Sequence, residues 1–199
     1  MTIAITPYLY LNKFKKICYS INKEWSNFAS KINENIFLLC DYKNFKGIIN
    51  KKKIKAVIIS GGGDIYKIQK TKINKLRDNF ELELANYCFK KKIPVIAVCR
   101  GFQLLANYEG CKLKKSKKKL NKHLISIKFN KKLKNIYVNS YHNYEVFDIS
   151  SNFEILGQCK DKSIEIVSHK KKKLLCLMMH PERAGNNQII LKIINNFIQ

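Results

Sequence analysis

Cys99, His180 and Glu182 are the residue types from which a nucleophile, its base and an orienting carboxylate can be built. A cysteine attacks as thiolate, so it needs a base in reach, and that base needs a partner to fix its tautomer. Cys99 stands at an abrupt junction: Val95, Ile96, Ala97 and Val98 form an apolar run, Cys99-Arg100-Gly101 interrupts it, and Phe102, Leu105, Ala106 and Tyr108 recur at helical spacing up to Gly110. The pattern predicts a buried parallel strand, a sharp turn and a helix. A sulfur at that turn lies near the orphan N–H groups of the helix, whose partial positive charge favours thiolate. A side chain at Gly101 would obstruct the turn.

Of the four histidines, His180 closes the apolar stretch Leu174–Met179 and is followed by Pro181-Glu182. On an extended backbone the His180 and Glu182 side chains would point the same way, so the carboxylate could hold the ring while its other nitrogen faces the sulfur. His123 and His169 are expected to be structural or exposed. For His142 a packed, hydrogen-bonded ring and a binding role both remain open. Acyl transfer also needs N–H donors aimed at the developing oxyanion. Ser60-Gly61-Gly62-Gly63-Asp64 follows an apolar run, and the backbone N–H groups of Gly62 and Arg100 are the candidate donors. A glycine run can instead cradle phosphate, but this one lacks the Lys-Ser/Thr ending of a P-loop.

The elements that must position these groups alternate. Ile3–Thr6 predicts a first strand closed by Pro7, Ile21–Ile32 a helix, Ile36–Cys40 a second strand and Ala56–Ile59 a third. Leu76–Lys92 predicts a helix, with Phe80, Leu84, Tyr87 and Cys88 on one face and a basic end suited to a helix C-terminus. Strand, helix, strand is the start of a doubly wound α/β sheet. Lys112–Lys122 predicts a lysine-rich surface connection. Beyond it, His123–Phe129, Ile136–Asn139, Phe153–Gln158, Ile164–Ser168 and Leu174–Met179 read as short strands, and Ile189, Ile190, Ile193, Ile194 and Phe197 as an amphipathic closing helix.

With 199 residues the chain suits one α/β domain with a full core. No apolar run approaches the ~20 residues of a membrane span, and the N-terminus lacks a signal-peptide pattern, so the expected setting is the cytoplasm. Seven cysteines without a Cys-x-x-Cys pair read as reduced thiols, and no metal site or cofactor is expected. The net charge of +25 invites a nucleic-acid reading, but only Arg77, Arg100 and Arg183 are arginine, and Lys, Asn and Ile are all abundant, as in AT-rich coding sequence. The runs at Lys51–Lys53, Lys90–Lys92, Lys117–Lys119 and Lys170–Lys173 fall between apolar segments, where solvated loops belong. Neither nucleic acid nor membrane is an expected partner. A positive field would draw in an anionic small substrate.

Val98-Cys99-Arg100-Gly101-Phe102-Gln103, with Ser60-Gly61-Gly62-Gly63-Asp64 upstream and His180-Pro181-Glu182 downstream, resembles a class I glutamine amidotransferase domain. Gly-Gly-x-Asp, Arg77-Asp78-x-Phe80-Glu81 and Val138-Asn139-Ser140-Tyr141-His142 resemble its γ-glutamyl hydrolase branch more narrowly. The resemblance implies one domain over residues 1–199: a three-layer, open, mostly parallel, flavodoxin-like sheet flanked by helices. It also implies a γ-glutamyl thioester on Cys99, hydrolysed with His180 moving protons and Glu182 orienting it. Gln103 and the backbone around Ser140, Tyr141, His142 and Asn143 would hold the glutamyl α-amino and α-carboxylate groups, with Gly61 and Gly63 lining the substrate. Ala97 stands where many relatives have glycine, Glu109-Gly110 replaces the usual Gly-Gly, and the connection after Leu113 departs furthest.

The narrower resemblance reaches small stand-alone hydrolases of bacterial capsule pathways that cleave γ-glutamyl-CDP-amidate to glutamate and cytidine diphosphoramidate. A diphosphate leaving group suits a site ringed by Lys and Arg77, whereas γ-glutamyl-γ-aminobutyrate would need one counter-charge. A glutaminase subunit passing ammonia to a synthase partner, and a nucleic-acid-binding protein with an inert core, are the readings from other classes.

Overall fold

The computed structural model describes residues 2–116, 122–130, 132–183 and 188–199. In chain order the elements are β1 (Thr2–Ile5), β2 (Tyr8–Leu11), β3 (Ile17–Ser20), α1 (Glu24–Lys31), β4 (Asn35–Leu38), α2 (Phe45–Lys51), β5 (Ile54–Ile59), α3 (Lys72–Lys90) and β6 (Val95–Val98). Then follow α4 (Arg100–Tyr108), β7 (Lys112–Lys115), β8 (Lys122–Phe129), β9 (Lys132–Asn139), β10 (Tyr144–Asp148), β11 (Phe153–Gln158), β12 (Ile164–His169), β13 (Leu174–Leu177) and α5 (Gln188–Ile198).

One sheet of nine strands, in the order β4-β1-β5-β6-β13-β12-β11-β8-β9, runs through the molecule. From β4 to β13 every pair is parallel, and from β13 to β9 every pair is antiparallel. Alternation along the strands serves two cores. In β5, Val57 and Ile59 face one layer with Phe45 of α2, Phe80 and Leu84 of α3, and Phe102 and Leu105 of α4. Ala56 and Ile58 face the other, with Trp25 and Phe28 of α1 and Ile190 and Ile194 of α5. Burial on both faces is why the parallel strands read as unbroken apolar runs. Helices on both sides make the expected three-layer α/β architecture.

Several boundaries move. The helix expected from Ile21 begins at Glu24, because Ile17–Ser20 pairs with Tyr8–Leu11 in an unanticipated hairpin. The helix expected from Leu76 begins at Lys72, where Thr71 Oγ1 accepts the Asn74 N–H at 3.2 Å and caps it. The helix α2 was not legible in the sequence. Lys112–Lys115, expected as plain connection, is a strand on β10, where Lys112 meets Asp148 at 2.9 Å and Lys114 meets Glu145 at 3.3 Å. Cross-strand ion pairs compensate a lysine-rich strand that no hydrophobic pattern announces. The runs at Lys51–Lys53, Lys90–Lys92 and Lys170–Lys173 do fall at exposed or half-buried ends of elements, and Lys117–Lys119 lies outside the described residues.

Gly101 shows how tightly β5 and α4 are joined. A Cβ there would lie 2.3 Å from the Ile59 carbonyl oxygen, a backbone atom that cannot swing aside. Gly101→Ala should therefore destabilise the fold by roughly 3 kcal/mol, the upper end of what overpacking costs. Urea unfolding should show a lower midpoint at constant m-value, and an unchanged midpoint would contradict this packing.

Candidate active site

Cys99 caps α4 with φ 50° and ψ −102°, in the left-handed half of backbone space that a non-glycine residue seldom occupies. Two bonds hold it there: its N–H donates to the Leu177 carbonyl at 2.7 Å, and its own carbonyl accepts from the Gln103 N–H at 3.0 Å. The strained turn aims the side chain back over the C-terminal end of the sheet. Strand β13 lies beside β6 in parallel, with Val98 registered on Leu177, so the segment leaving β13 passes the sulfur. His180 lies on that segment.

The imidazole is 4% exposed, and its Nδ1 is 2.7 Å from Glu182 Oε1. The contact does not come from an extended backbone, the conformation expected for His-Pro-Glu. The Arg183 N–H donates to the His180 carbonyl at 3.2 Å, closing a turn with Pro181 at its second position, and the turn folds the carboxylate onto the ring. With Nδ1 occupied, Nε2 is left for the sulfur. Burial alone would lower the ring's pKa, but Cys99 and Glu182, by hydrogen bonding and charge, outweigh it and raise it to about 9. Asn139, which stands out in the sequence only as part of the Val138–His142 motif, fixes the His180 backbone from both sides: its Nδ2 donates to the carbonyl and its Oδ1 accepts from the N–H, both at 2.8 Å.

Gly61 closes the site from β5, where a Cβ would be 2.7 Å from His180 Cε1 and 3.3 Å from Cys99 Cβ. Behind this turn lies a buried charge network. Arg77 donates from Nη1 to the Gly62 carbonyl at 2.7 Å and from Nη2 to the Ser60 and Gly61 carbonyls at 2.9 and 3.2 Å. A trans peptide points its N–H opposite its C=O, so drawing the Gly61 carbonyl to Arg77 turns the Gly62 N–H away from it. Glu81 bridges both arginines, meeting Arg77 Nε at 2.9 Å and pairing with Arg100, which also pairs with Asp78. Thr6 Oγ1 donates to Glu81 at 2.8 Å and accepts from the Ser60 N–H at 3.1 Å. Arg77 was expected to help ring a diphosphate. Its buried guanidinium is instead committed to the glycine turn, which the sequence could not reveal because that turn follows a different element, β5.

The remaining candidates divide. The Tyr141 ring packs edge-on against His180 with centroids 5.8 Å apart, and the Arg183 guanidinium covers Tyr141 at 4.1 Å. Buried Ser140 and exposed Asn143 sit on the same connection, where the Asn143 carbonyl accepts the Ser116 N–H at 2.8 Å. Gln103 is buried, and its Nε2 donates to the Tyr144 carbonyl at 2.9 Å. His142 Nδ1 is 3.0 Å from the same carbonyl; burial lowers its pKa, and the charges it feels are those of Glu165, Glu145 and His123. Its Nε2 is buried with no hydrogen-bond partner among the described residues. His169 is structural, with Nδ1 accepting the Lys171 and Lys172 N–H groups at 3.0 Å each. Gly61–Gly63 and His180 also border a cavity of about 410 Å³ that Tyr8, Trp25 and Arg183 line as well. Tyr8 and Arg183 were not anticipated; the hairpin that carries Tyr8 has no periodic signal.

A family model described as glutamine amidotransferase class-I matches residues 18–199. The chain is 33% identical over 144 residues to a gamma-glutamyl-CDP-amidate hydrolase of Campylobacter jejuni, covering 71% of this chain and 70% of that protein. It is 29% identical over 160 residues to a glutamine-hydrolyzing GMP synthase subunit of Methanococcus vannielii, covering 75% and 76%. Among solved structures, a GMP synthase subunit-like protein of Thermoplasma acidophilum superposes with a TM-score of 0.72 at 15% identity, over 100% of this chain and 92% of that one.

Proposed function

The chain belongs to the class-I glutamine amidotransferase family, and from that premise we propose that it is a cysteine hydrolase of γ-glutamyl amides, with γ-glutamyl-CDP-amidate as its substrate. The observation that carries this reading is the placement of His180 between Glu182, at 2.7 Å, and the sulfur of a strained Cys99, beside the Gly61–Gly63 turn.

Cys99 Sγ, its proton taken by His180 Nε2, attacks the γ-carbonyl carbon. The Gly62 and Arg100 N–H groups receive the oxyanion. As the C–N bond breaks, the imidazolium returns that proton to the departing nitrogen, leaving a γ-glutamyl thioester on Cys99 and free cytidine diphosphoramidate. Water then gives a proton to neutral His180 and attacks the thioester. Glutamate leaves, the proton returns to sulfur, and one water is consumed overall. Glu182 keeps the proton of Nδ1 in place throughout. Gln103, Ser140, Tyr141 and Asn143 are assigned to the glutamyl head, with Gly61 and Gly63 lining its path. His142 is assigned to supporting that loop.

The leaving group is assigned to the 410 Å³ cavity, a size that takes drug-sized ligands. Tyr8 and Trp25 offer aromatic faces to a base, and Arg183 offers a cation to phosphate. Arg183 here takes the part that Arg77 cannot. The test is to offer the purified chain γ-glutamyl-CDP-amidate, γ-glutamyl-γ-aminobutyrate and glutamine, and to measure released glutamate. A kcat/KM for the nucleotide at least about tenfold above the others supports the assignment, and preference for either of the others overturns it. The GMP synthase similarity favours a second reading, a glutaminase subunit feeding a synthase partner. That reading predicts that glutamine is preferred and that activity rises when partner is added.

The imidazolium form must survive to protonate the departing nitrogen, so the alkaline limb of kcat/KM should fall near pH 9, where burial is outweighed by Cys99 and Glu182. Glu182→Gln removes one of the two groups that raise the ring, and the limb should move to lower pH with a rate loss of roughly 10- to 100-fold. An unmoved limb would show that the carboxylate does not act on His180.

A further inference from the structure

A second Cys-His-Glu group lies away from the glycine turn, in the antiparallel half of the sheet. His123 is near the start of β8, Cys159 opens the tight turn after β11, and Glu165 is in β12. All three are buried, and one ligand atom from each lies within 4.8 Å of the others. His123 Nε2 is 3.0 Å from Glu165 Oε1, yet the approach makes no hydrogen bond, and neither ring nitrogen of His123 nor Oε2 of Glu165 has a hydrogen-bond partner among the described residues. A plain ion pair would aim the N–H at the carboxylate. Three buried potential ligand atoms within 4.8 Å of one another, on an imidazole and a carboxylate that lack a well-directed hydrogen bond and on a thiol, can close on a common centre, where separations of about 3–4 Å follow from metal–ligand bonds of about 2.0–2.3 Å.

We propose that His123, Cys159 and Glu165 bind a divalent metal of the zinc class. Imidazole nitrogen, thiolate and carboxylate are the ligand types such an ion takes, and a set containing thiolate selects it over magnesium or calcium. Cys159 binds as thiolate and releases its proton to solvent. A fourth position is left for water. Cys159 also borders a cavity of about 520 Å³, and the Lys128, Lys160 and Lys162 that line it disfavour cations held by charge alone.

The ion would brace a weak joint. Strand β8 meets β11 over two registered pairs, Ile127 with Gly157 and Ser126 with Gln158. His123 pairs in register with Val138 of β9, next to the Asn139 that fixes the His180 backbone. Metal binding at His123 would thus secure the end of β9 from which the imidazole is held. These ligands are distant in sequence and show no metal-site spacing, which is why none was expected.

The full chain, stripped with chelator, should take up one equivalent of Co²⁺ with a thiolate-to-cobalt charge-transfer band. The band should persist in Cys99→Ala and vanish in Cys159→Ser. Zn²⁺ at 100 times its dissociation constant should raise the wild-type melting temperature by about 5–10 °C and leave that of Cys159→Ser unmoved. Absence of the band in the wild type, or its loss in Cys99→Ala and persistence in Cys159→Ser, overturns the site. None of these readouts requires turnover, so failure of the γ-glutamyl assignment would leave them intact.

Discussion

Cys99→Ala is expected to lower hydrolysis of every γ-glutamyl amide by at least about 10⁴-fold while the protein keeps its fold. The side chain is removed from a position whose backbone is set by bonds to the Leu177 carbonyl and the Gln103 N–H, and neither involves the sulfur. A second variant separates chemistry from strain. At φ 50° and ψ −102° a Cβ is disfavoured, so Cys99→Gly should be as inactive as the alanine variant yet more stable than wild type by on the order of 1 kcal/mol. Steady-state glutamate release measures the first effect and urea unfolding the second. Wild-type turnover in either variant would dismiss the thioester route.

His180→Asn should lose activity on a similar scale, because an amide can neither accept the thiol proton nor return it to the leaving nitrogen. The same variant has a signature in stability. In the folded protein the ring's pKa is raised from 6.5 to about 9, with burial outweighed by Cys99 and Glu182. A group whose folded pKa is raised contributes stability that is fully present below the unfolded value and is lost as pH rises through the folded one. Wild type should therefore lose stability between pH 6.5 and about 9 more steeply than His180→Asn. Parallel stability curves for the two proteins over that window would show that the ring is not held as described.

How much of this was legible can be judged element by element. The strand-turn-helix around Cys99, the glycine turn after β5 and the His-Pro-Glu segment were visible, because each is contiguous and each turn demands residues that stand out. The parallel strands were visible because burial on both faces writes an unbroken apolar run. The hairpin of β2 and β3 was not, since Tyr8, Tyr10, Ile17 and Tyr19 are exposed and Leu9 alone of its strand residues is buried, too little to impose a period. Strand β7 was hidden for a related reason: its lysines are compensated by Asp148 and Glu145 of another segment.

The types of the reactive groups, and the sharp turns at Cys99 and at Gly61–Gly63 that present two of the site's three walls, were determined by the sequence itself, since short-range backbone and side-chain chemistry suffices for both. Which groups meet was decided only in three dimensions. The parallel pairing of β6 with β13 brings His180 to Cys99, the turn at Pro181 rather than an extended strand brings Glu182 to His180, and the packing of α3 against β5 commits Arg77 to the glycine carbonyls. Pairing across a sheet depends on register and burial summed over the whole chain, and no local stretch carries that information.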